Sequence, residues 1–371
     1  MDRSDLDRLL VKLADLDGSD LHIKAGAPPR MRIAGALVTL DDEPAFTAGE
    51  TKQLAESIMQ PGILGQFTER HEADFAYSLD GTGRFRVNAY YQRSSVALAM
   101  RRVRASATSV SDLGLPEAVT RLAGEMRGLV LVTGPTGSGK TTTLAAMVDH
   151  INHTRSCHVV TIEDPVEYLH TDDLAAIDQR EVGFDTDSFS AAMRVVLRQD
   201  PDVILVGEMR DMETVSAALT AAETGHLVLS TLHTINATET INRIVDFFPP
   251  HQQPQTRVSL AGSLRGIICQ RLIPTADGAG RVPALELLVI NGRIQQAIID
   301  PQLTADIEGI VADGQYYGMV TFDQSLVSLI ADGTIDLAEA MNTASNPHDL
   351  KVMLEREGIM QTGQFAVANI P

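Results

Sequence analysis

A glycine-rich segment, GPTGSGKTTT (134–143), carries the strongest chemical signal in the chain. It follows an apolar run (128–133) whose pattern predicts a strand, and it leads into a predicted helix (141–151). Glycines here let backbone N–H groups face phosphate oxygens, while a lysine bridges the β- and γ-phosphates and a hydroxyl binds Mg²⁺. The segment therefore predicts an ATP site rather than an ordinary glycine-rich turn. The predicted nucleotide-binding residues are Gly134, Pro135, Thr136, Gly137, Ser138, Gly139, Lys140, Thr141 and Thr142; Lys140 is also predicted to be catalytic, and Thr141 to bind Mg²⁺.

Acidic residues follow two further predicted strands. DVILVGE (202–208) ends in Glu208, and TIEDPVEY (161–168) contains Glu163 and Glu167. Ligands bind at the carboxyl ends of strands in open α/β sheets, and clustered carboxylates beside a triphosphate favour a metal ion or a catalytic water. Glu163 and Glu208 are therefore predicted to hold Mg²⁺, and Glu208 is also predicted to orient the attacking water. The alternatives are a solvated glutamate at a strand end and an exposed acidic turn.

A histidine stands at each end of another predicted strand. TGHLVLSTLHT (224–234) contains His226 and His233. A histidine at a strand end can contact a γ-phosphate, but a hydrogen-bonded structural histidine fits this segment equally well. The segment alone leaves both interpretations open.

Four arginines lie on two predicted strands of the first third of the chain: Arg84, Arg86, Arg101 and Arg102. Phosphoryl transfer requires positive charge opposite the phosphate loop, and an arginine of another domain often supplies it. Exposed arginines that keep a sheet edge soluble are the alternative, and the segment alone favours this alternative.

The pattern of predicted elements indicates an α/β protein of two domains. Residues 1–104 predict a helix-flanked antiparallel sheet, and the small, polar segment 105–116 predicts a linker. From 117 to 371, aliphatic runs alternate with helical patterns, which is typical of a parallel sheet covered on both faces. Beyond about residue 250 the pattern is mostly helical, with a short hairpin near 281–290.

Composition narrows the class of protein. The chain has 371 residues, of which 44% are hydrophobic, so it is too long for a comfortable single core and too apolar to be largely disordered. Cys157 and Cys269 are the only cysteines, which excludes a disulfide framework and fits a reducing cytoplasm. No apolar run reaches the ~18 residues of a membrane-spanning helix.

The net charge of −19 is unevenly distributed. Residues 1–105 hold 14 Lys and Arg against 15 Asp and Glu, whereas residues 106–371 hold 16 against 34. An acidic surface repels phosphate backbones, so nucleic acid is not an expected partner. A single triphosphate needs only a few local donors and is not excluded.

At these motifs the sequence resembles the secretion ATPase superfamily of type II secretion and type IV pili, and within it the branch that retracts pili in twitching motility. The resemblance extends from about residue 19 to residue 330. The family's phosphate loop corresponds to 134–140, its acidic box to 161–168 and its histidine box to 224–234. Its Walker B strand ends in GEMRD, which is also the sequence at 207–211 here.

The resemblance implies a smaller, PAS-like α+β N-terminal domain, a RecA-like phosphate-loop domain and a homohexamer that hydrolyses ATP with Mg²⁺. Implied partners are a platform protein of the inner membrane and other motor ATPases of the pilus. The implied location is cytoplasmic and peripheral, at the inner face of the cytoplasmic membrane. The resemblance implies that Glu167 and Glu208 are catalytic. Of the histidine-box pair, it implies that His226 binds nucleotide and that His233 is catalytic. It also implies that Arg86 and Arg101 are catalytic and reach the γ-phosphate.

The direction of motion rests on fewer features. The segment 239–250, the lack of a four-cysteine zinc insertion and the lack of a further N-terminal module favour retraction. Ser230 is closer to the assembly branch, and 259–272 stands where the family has a helical segment important for retraction. An assembly or type II secretion ATPase therefore stays an alternative.

Two readings from other classes are disfavoured. A RecA-like nucleic-acid motor conflicts with the acidic balance after residue 105. A non-catalytic, ATP-binding regulator of a pilus motor conflicts with the intact Lys140, Glu167 and Glu208.

Overall fold

The computed structural model describes residues 3–103 and 107–360, and the chain divides into two units. The first unit comprises residues 1–106 and 166–170, and the second comprises 107–165 and 171–371. The predicted boundary between residues 104 and 105 lies outside the described residues, as does the end of the predicted C-terminal domain after residue 360.

The first unit is built on a six-stranded antiparallel sheet with the strand order β3-β2-β1-β6-β5-β4. Its elements are α1 (Arg3–Asp15), β1 (Asp20–Lys24), β2 (Arg30–Ile33), β3 (Ala36–Thr39), α2 (Ala48–Ile58), α3 (Pro61–Arg70), β4 (Glu72–Leu79), β5 (Gly83–Gln92) and β6 (Ser95–Arg102). Helix α1 buries a leucine stripe at helical spacing, and this stripe belongs to the same core as residues of α2, α3 and the sheet.

Strand β5 shows how this sheet separates its two faces. Phe85, Val87 and Ala89 are buried in the core, whereas Arg86 between them is exposed. Successive side chains of a strand point to opposite faces, so the alternation places one face on the core and leaves the other polar. Arg86 lies directly opposite Arg101 of β6 in the strand register.

The second unit is a seven-stranded sheet with helices, in the order β13-β12-β7-β11-β10-β8-β9. Its elements up to the end of the sheet are α4 (Glu117–Ala123), β7 (Gly128–Thr133), α5 (Lys140–Thr154), β8 (His158–Glu163), β9 (Ala176–Glu181), α6 (Phe189–Val196), β10 (Val203–Val206), α7 (Met212–Glu223), β11 (Leu227–Leu232), α8 (Ala237–Asp246), α9 (Gln253–Ser263), β12 (Leu264–Pro274) and β13 (Arg281–Val289). The elements that follow are α10 (Gly292–Ile299), a 3₁₀ turn (Thr304–Asp306), α11 (Ile307–Ala312), a 3₁₀ turn (Gln315–Tyr317), α12 (Phe322–Ala331), α13 (Leu337–Thr343) and α14 (Pro347–Arg356).

The sheet of the second unit is parallel apart from β13, which pairs antiparallel with β12. Every residue of β7, β10 and β11 is buried, as expected for strands covered on both faces. Strands β7 and β11 are neighbours, and the chain leaves β7 toward β8 on one side of the sheet but leaves β11 toward β12 on the other side. Ligands bind at such a point, beyond the carboxyl ends of the strands.

The segment 259–272 is not the helical motif that the sequence suggested. Helix α9 ends at Ser263, and β12 then runs beside β7 in the sheet. The physical reason is burial: residues 266–270 are all buried, as expected for a strand covered on both faces. Only glycine fits at 266, where a Cβ would lie 2.6 Å from the Leu122 side chain and 2.9 Å from the Leu288 carbonyl oxygen. The predicted hairpin is therefore longer than 281–290, because it also includes β12. Helix α3 and strand β9 were not predicted.

No helix in the described part of the chain has the length and apolar character needed to cross a lipid bilayer.

Candidate active site

The loop between β7 and α5 is held in a tight curve by its glycines. Gly134 has φ +143° and Gly139 has φ +90°, values that disfavour any side chain. A Cβ on Gly134 would lie 2.3 Å from the Gln270 carbonyl oxygen, and one on Gly139 would lie 2.8 Å from Gln270 Nε2. Both glycines are therefore required by backbone conformation and by the close approach of β12. Gly137, with φ +80°, has open space around it.

Lys140, the first residue of α5, folds back into this loop. Its side chain is largely buried, and Nζ donates hydrogen bonds to the carbonyl oxygens of Gly134 (2.8 Å) and Pro135 (3.1 Å). Burial lowers the pKa of Lys140, and the nearby negative charge of Glu208 acts in the opposite direction. The ammonium group thus lies at the mouth of the loop and within electrostatic reach of Glu208.

The start of α5 offers further groups to an anion. Within the described residues, no side chain caps its N-terminus, where Gly139 is the N-cap residue. Thr141 and Thr142 are half-buried on its first turn, and Ser138 Oγ is buried without a hydrogen-bond partner in the described chain. Free N–H groups at a helix N-terminus favour negative charge. The loop, the lysine and the helix N-terminus therefore fit a triphosphate.

Glu208 follows β10 and has a contact on each carboxylate oxygen. Arg210 Nε donates to Oε2 at 2.8 Å, and His233 Nε2 lies 3.2 Å from Oε1. The side chain is 18% exposed, so it is accessible yet held in place. His233 comes from the end of β11, the strand between β10 and β7.

The structure brings four predicted features together at one edge of the sheet. In the order β7, β11, β10 and β8, the strand ends carry the phosphate loop, His233, Glu208 and Glu163. Glu163 is buried, and its Oε1 accepts hydrogen bonds from Thr161 Oγ1 (2.7 Å) and Gln179 Nε2 (3.3 Å). This row of strand ends combines a phosphate-binding loop with two carboxylates and an imidazole.

The structure does not bring His226 to this edge. His226 precedes β11, its carbonyl accepts from Gly128 N at the start of β7 (2.9 Å), and its Nδ1 lies 3.0 Å from the Ala221 carbonyl oxygen. A strand of this length separates His226 from His233 by roughly 20 Å. Its contact with nucleotide stays a prediction: within its own chain, His226 is hydrogen-bonded at the edge of the sheet opposite the phosphate loop.

Three predicted site residues belong to the first unit. Arg86 and Arg101 are cross-strand neighbours on the polar face of its sheet, and Arg101 Nε donates to Asp20 Oδ1 at 2.8 Å. Arg86 is exposed and has no hydrogen-bonded partner within the described residues. Glu167 is exposed and lies in the segment 166–170, which belongs to this unit.

Sequence reasoning missed one residue that contacts the loop. Gln270 of β12 is 4% exposed; its Nε2 donates to the Ser138 carbonyl oxygen at 2.7 Å, and its Oε1 accepts from Thr143 Oγ1 at 2.7 Å. The available signal is a glutamine next to the apolar residues 266–269, in a segment that the resemblance to the family makes helical.

Comparisons with known proteins agree with this geometry. A family model described as "Type II/IV secretion system protein" matches residues 76–340. The "Type IV pilus retractation ATPase PilT" of Pseudomonas aeruginosa is 42% identical over 93% of this chain and 99% of its own length. The "Type IV pilus ATPase PilU" of the same species is 39% identical over 95% of this chain and 91% of its own length.

A solved structure supports the fold as well. The crystal structure of the pilus retraction motor PilT with bound ADP has a TM-score of 0.86 and 46% identity, and the match covers 94% of this chain and 99% of that one. The predicted fold class, a RecA-like phosphate-loop domain with a smaller PAS-like N-terminal domain, is confirmed. The family match covers more than half of the sequence, and the chain belongs to the family of type II/IV secretion system proteins.

Proposed function

We propose that this chain is a motor that hydrolyses ATP with Mg²⁺ to power the retraction of type IV pili. One observation carries the proposal: the phosphate loop and Glu208 lie at the same edge of the sheet, in a chain 42% identical to a pilus retraction ATPase along nearly its whole length. The prediction of an ATP-hydrolysing enzyme is confirmed by the family and by these relatives.

The loop and Lys140 bind the triphosphate in this proposal. The glycine curve presents N–H groups, the uncapped N-terminus of α5 favours negative charge, and Lys140 supplies a localised cation. Nζ donates two of its three protons to the carbonyl oxygens of Gly134 and Pro135. The third proton can be donated to a phosphate oxygen of the substrate.

Glu208 positions the attacking water. Arg210 donates to one of its carboxylate oxygens and His233 lies beside the other, so each oxygen has a neighbour at the edge. Positioning a nucleophile supplies much of the rate enhancement in phosphoryl transfer. His233 Nε2 lies 3.2 Å from Glu208 Oε1, which supports a role for His233 in orienting this carboxylate.

Thr141, Glu208 and Glu163 are the residues that would hold Mg²⁺. A hydroxyl and carboxylates are the hard oxygen donors that this ion takes alongside substrate phosphates. When bound, Mg²⁺ neutralises charge that develops on the phosphate oxygens. Glu163 is the least available of the three, because Thr161 and Gln179 already donate to its Oε1.

The assembly and location proposed for the chain follow the same family assignment. We place it as a homohexamer on the inner face of the cytoplasmic membrane, where it acts on the pilus platform protein and works with other motor ATPases of the pilus. The support is the extent of the match to PilT and PilU, which leaves no large part of either relative uncovered.

A deletion strain complemented with wild-type or K140A chains tests the function. Loss of retraction predicts surplus surface pili without twitching motility, and only the wild-type chain should restore motility. Absence of pili would instead assign the chain to assembly, and loss of secretion with normal pili would assign it to type II secretion. Restoration of motility by a K140A chain that hydrolyses no ATP would favour the regulator alternative.

A further inference from the structure

We propose that Gln270 is a positioning residue that sets the conformation of the phosphate loop for nucleotide binding. The inference rests on ATP binding at this loop and is independent of the direction of pilus movement. Gln270 lies on β12 just beyond the end of β7, since the preceding residue, Cys269, pairs with Thr133 in the register. Its side chain reaches under the loop and contacts both the loop and the helix that follows.

The hydrogen bonds of Gln270 fix which end of the amide faces which partner. The Ser138 carbonyl oxygen can only accept, so it faces the NH₂ group at 2.7 Å. The Thr143 hydroxyl then donates to the amide oxygen, also at 2.7 Å. One side chain thus ties a loop carbonyl to the first turn of α5, and both hydrogen bonds are buried.

The bond to Ser138 has a consequence on the opposite side of the backbone. In a trans peptide the carbonyl oxygen and the following N–H point in opposite directions. Holding the Ser138 oxygen toward β12 therefore directs the N–H of Gly139 away from β12, toward the inside of the loop. That N–H belongs to the group of donors that a phosphate-binding loop offers to its ligand.

The contact also excludes alternatives to this loop conformation. Gly139 packs so closely on Gln270 that a Cβ would lie 2.8 Å from Nε2, and the Gln270 carbonyl oxygen blocks a Cβ on Gly134 at 2.3 Å. Gln270 and its own backbone thus contact the loop near both ends. Without the amide, the Ser138 carbonyl loses its donor, and the peptide that follows is free to rotate.

The first test compares Q270M with wild type in nucleotide binding and steady-state hydrolysis. Methionine keeps the length and burial but removes both hydrogen bonds. Loss of loop order should weaken ATP and ADP binding about tenfold, the effect of one buried hydrogen bond. KM should rise with little change in kcat, because the lost interaction is made equally before and during the reaction.

Asn152 provides a matched control on the same helix. It is also a buried amide, whose Nδ2 donates to the Thr171 carbonyl oxygen (2.8 Å) and whose Oδ1 accepts from Asp173 N (3.0 Å), but it lies in the last turns of α5. N152L should lower thermal stability and leave nucleotide affinity unchanged. If Q270M behaves like N152L in both measurements, Gln270 is only structural and the inference is wrong.

Two further variants keep the test decisive if Q270M fails to fold. T143V removes the hydroxyl that orients the amide and should weaken nucleotide binding by less than Q270M.

In Q270E, a protonated carboxyl can donate to Ser138 and accept from Thr143, but a carboxylate cannot donate. Nucleotide affinity of Q270E relative to wild type should therefore recover as the pH falls. The inference would be wrong if the affinity of Q270E relative to wild type did not vary with pH, or if T143V had wild-type affinity. If the wild-type chain bound no nucleotide, the proposed function would be wrong instead.

Discussion

Glu208 has a separate neighbour on each carboxylate oxygen, and this arrangement predicts the effect of removing its charge. E208Q keeps the size of the side chain and one acceptor oxygen, but it removes the carboxylate that we propose positions the attacking water. The repulsion between the carboxylate and the triphosphate is also removed. We expect ATP affinity to be equal or higher and turnover to fall by about a hundredfold or more, since a general base contributes about 10²–10⁴ in rate.

Equilibrium ATP binding and turnover, measured on the same preparation, check this expectation. E213Q is a suitable control, because Glu213 is also ion-paired to an arginine, Arg194, but on the outside of α7. Loss of ATP binding in E208Q would identify Glu208 as a metal anchor. Unchanged turnover would transfer the catalytic role to Glu167.

Arg86 and Arg101 form a like-charged pair across β5 and β6, which is unfavourable in a sheet unless an anion compensates it. Asp20 compensates Arg101 within the chain. The hypothesis that this pair supplies charge to the γ-phosphate predicts that R86A and R101A cut hydrolysis by about a thousandfold with little change in nucleotide affinity.

The control for the arginine pair is R102A. Arg102 follows Arg101 in β6, alternates to the other face of the sheet and pairs with Asp17. It should retain wild-type turnover. Parental rates in both R86A and R101A would mean that these arginines only keep the sheet soluble.

Helix α8 begins directly after the turn that carries His233. The N-terminal cap of this helix should therefore help to hold His233 in its position beside Glu208. Asn236 caps the helix by accepting from Glu239 N at 2.8 Å, and Glu286 of β13 accepts from Ala237 N at 2.6 Å. N236A should destabilise the chain by about 1 kcal/mol and should also lower turnover, because the turn loses its anchor.

Helix α10 offers the matched comparison for this element. Asn291 caps it in the same way, accepting from Ile294 N at 2.9 Å, and α10 follows β13 rather than a strand that carries a site residue. Chemical denaturation should show a similar loss of stability in N291A and N236A. Equal turnover in the two variants would mean that the cap of α8 contributes to stability but not to the position of the site residues.

Elements with a strong pattern were predictable from sequence alone. The predicted strand 128–133 matches β7 residue for residue, because it is a continuous apolar run followed by a glycine-rich turn. The positions of the phosphate loop, Glu208 and His233 at strand ends were predictable for the same reason, since each lies just after such a strand. Strand β9 was missed because its sequence, AIDQRE, is mostly polar and it lies at the sheet edge.

Contacts between distant segments were not predictable. Gln270 meets the loop only because β12 inserts beside β7 after α9 ends, and no local pattern encodes that neighbour. The same limit applies to His226: the sequence places a histidine at each end of a strand, but only the parallel direction of β11 shows which end faces the loop. Hydrophobic periodicity predicts the helices and strands, but only the order of the strands in the sheet shows which side chains lie together at the site.

At the scale of the whole molecule, the acidic charge argues against a nucleic-acid motor. The net charge of −19 includes 34 Asp and Glu against 16 Lys and Arg after residue 105, the part that contains the phosphate loop. Proteins that track nucleic acid use basic grooves with stacking aromatics, and their binding is strongest at low salt. At the sheet edge, the cationic side chains of Lys140 and Arg210 are instead hydrogen-bonded to groups of the site itself.

Neither single-stranded nor duplex DNA should therefore bind the chain or raise its ATPase rate. The stringent condition is low ionic strength, about 0.01 M, where the Debye length is about 30 Å and any attraction to DNA is at its greatest. Hydrolysis should be the same with and without DNA there, and DNA mobility should not shift with added protein. K140A, as a chain of nearly the same charge without hydrolysis, sets the background of the assay. A DNA-dependent rise in the wild-type rate that disappears at about 0.15 M salt would show a phosphate-binding surface that the charge balance conceals, and it would reinstate the nucleic-acid motor as the better assignment.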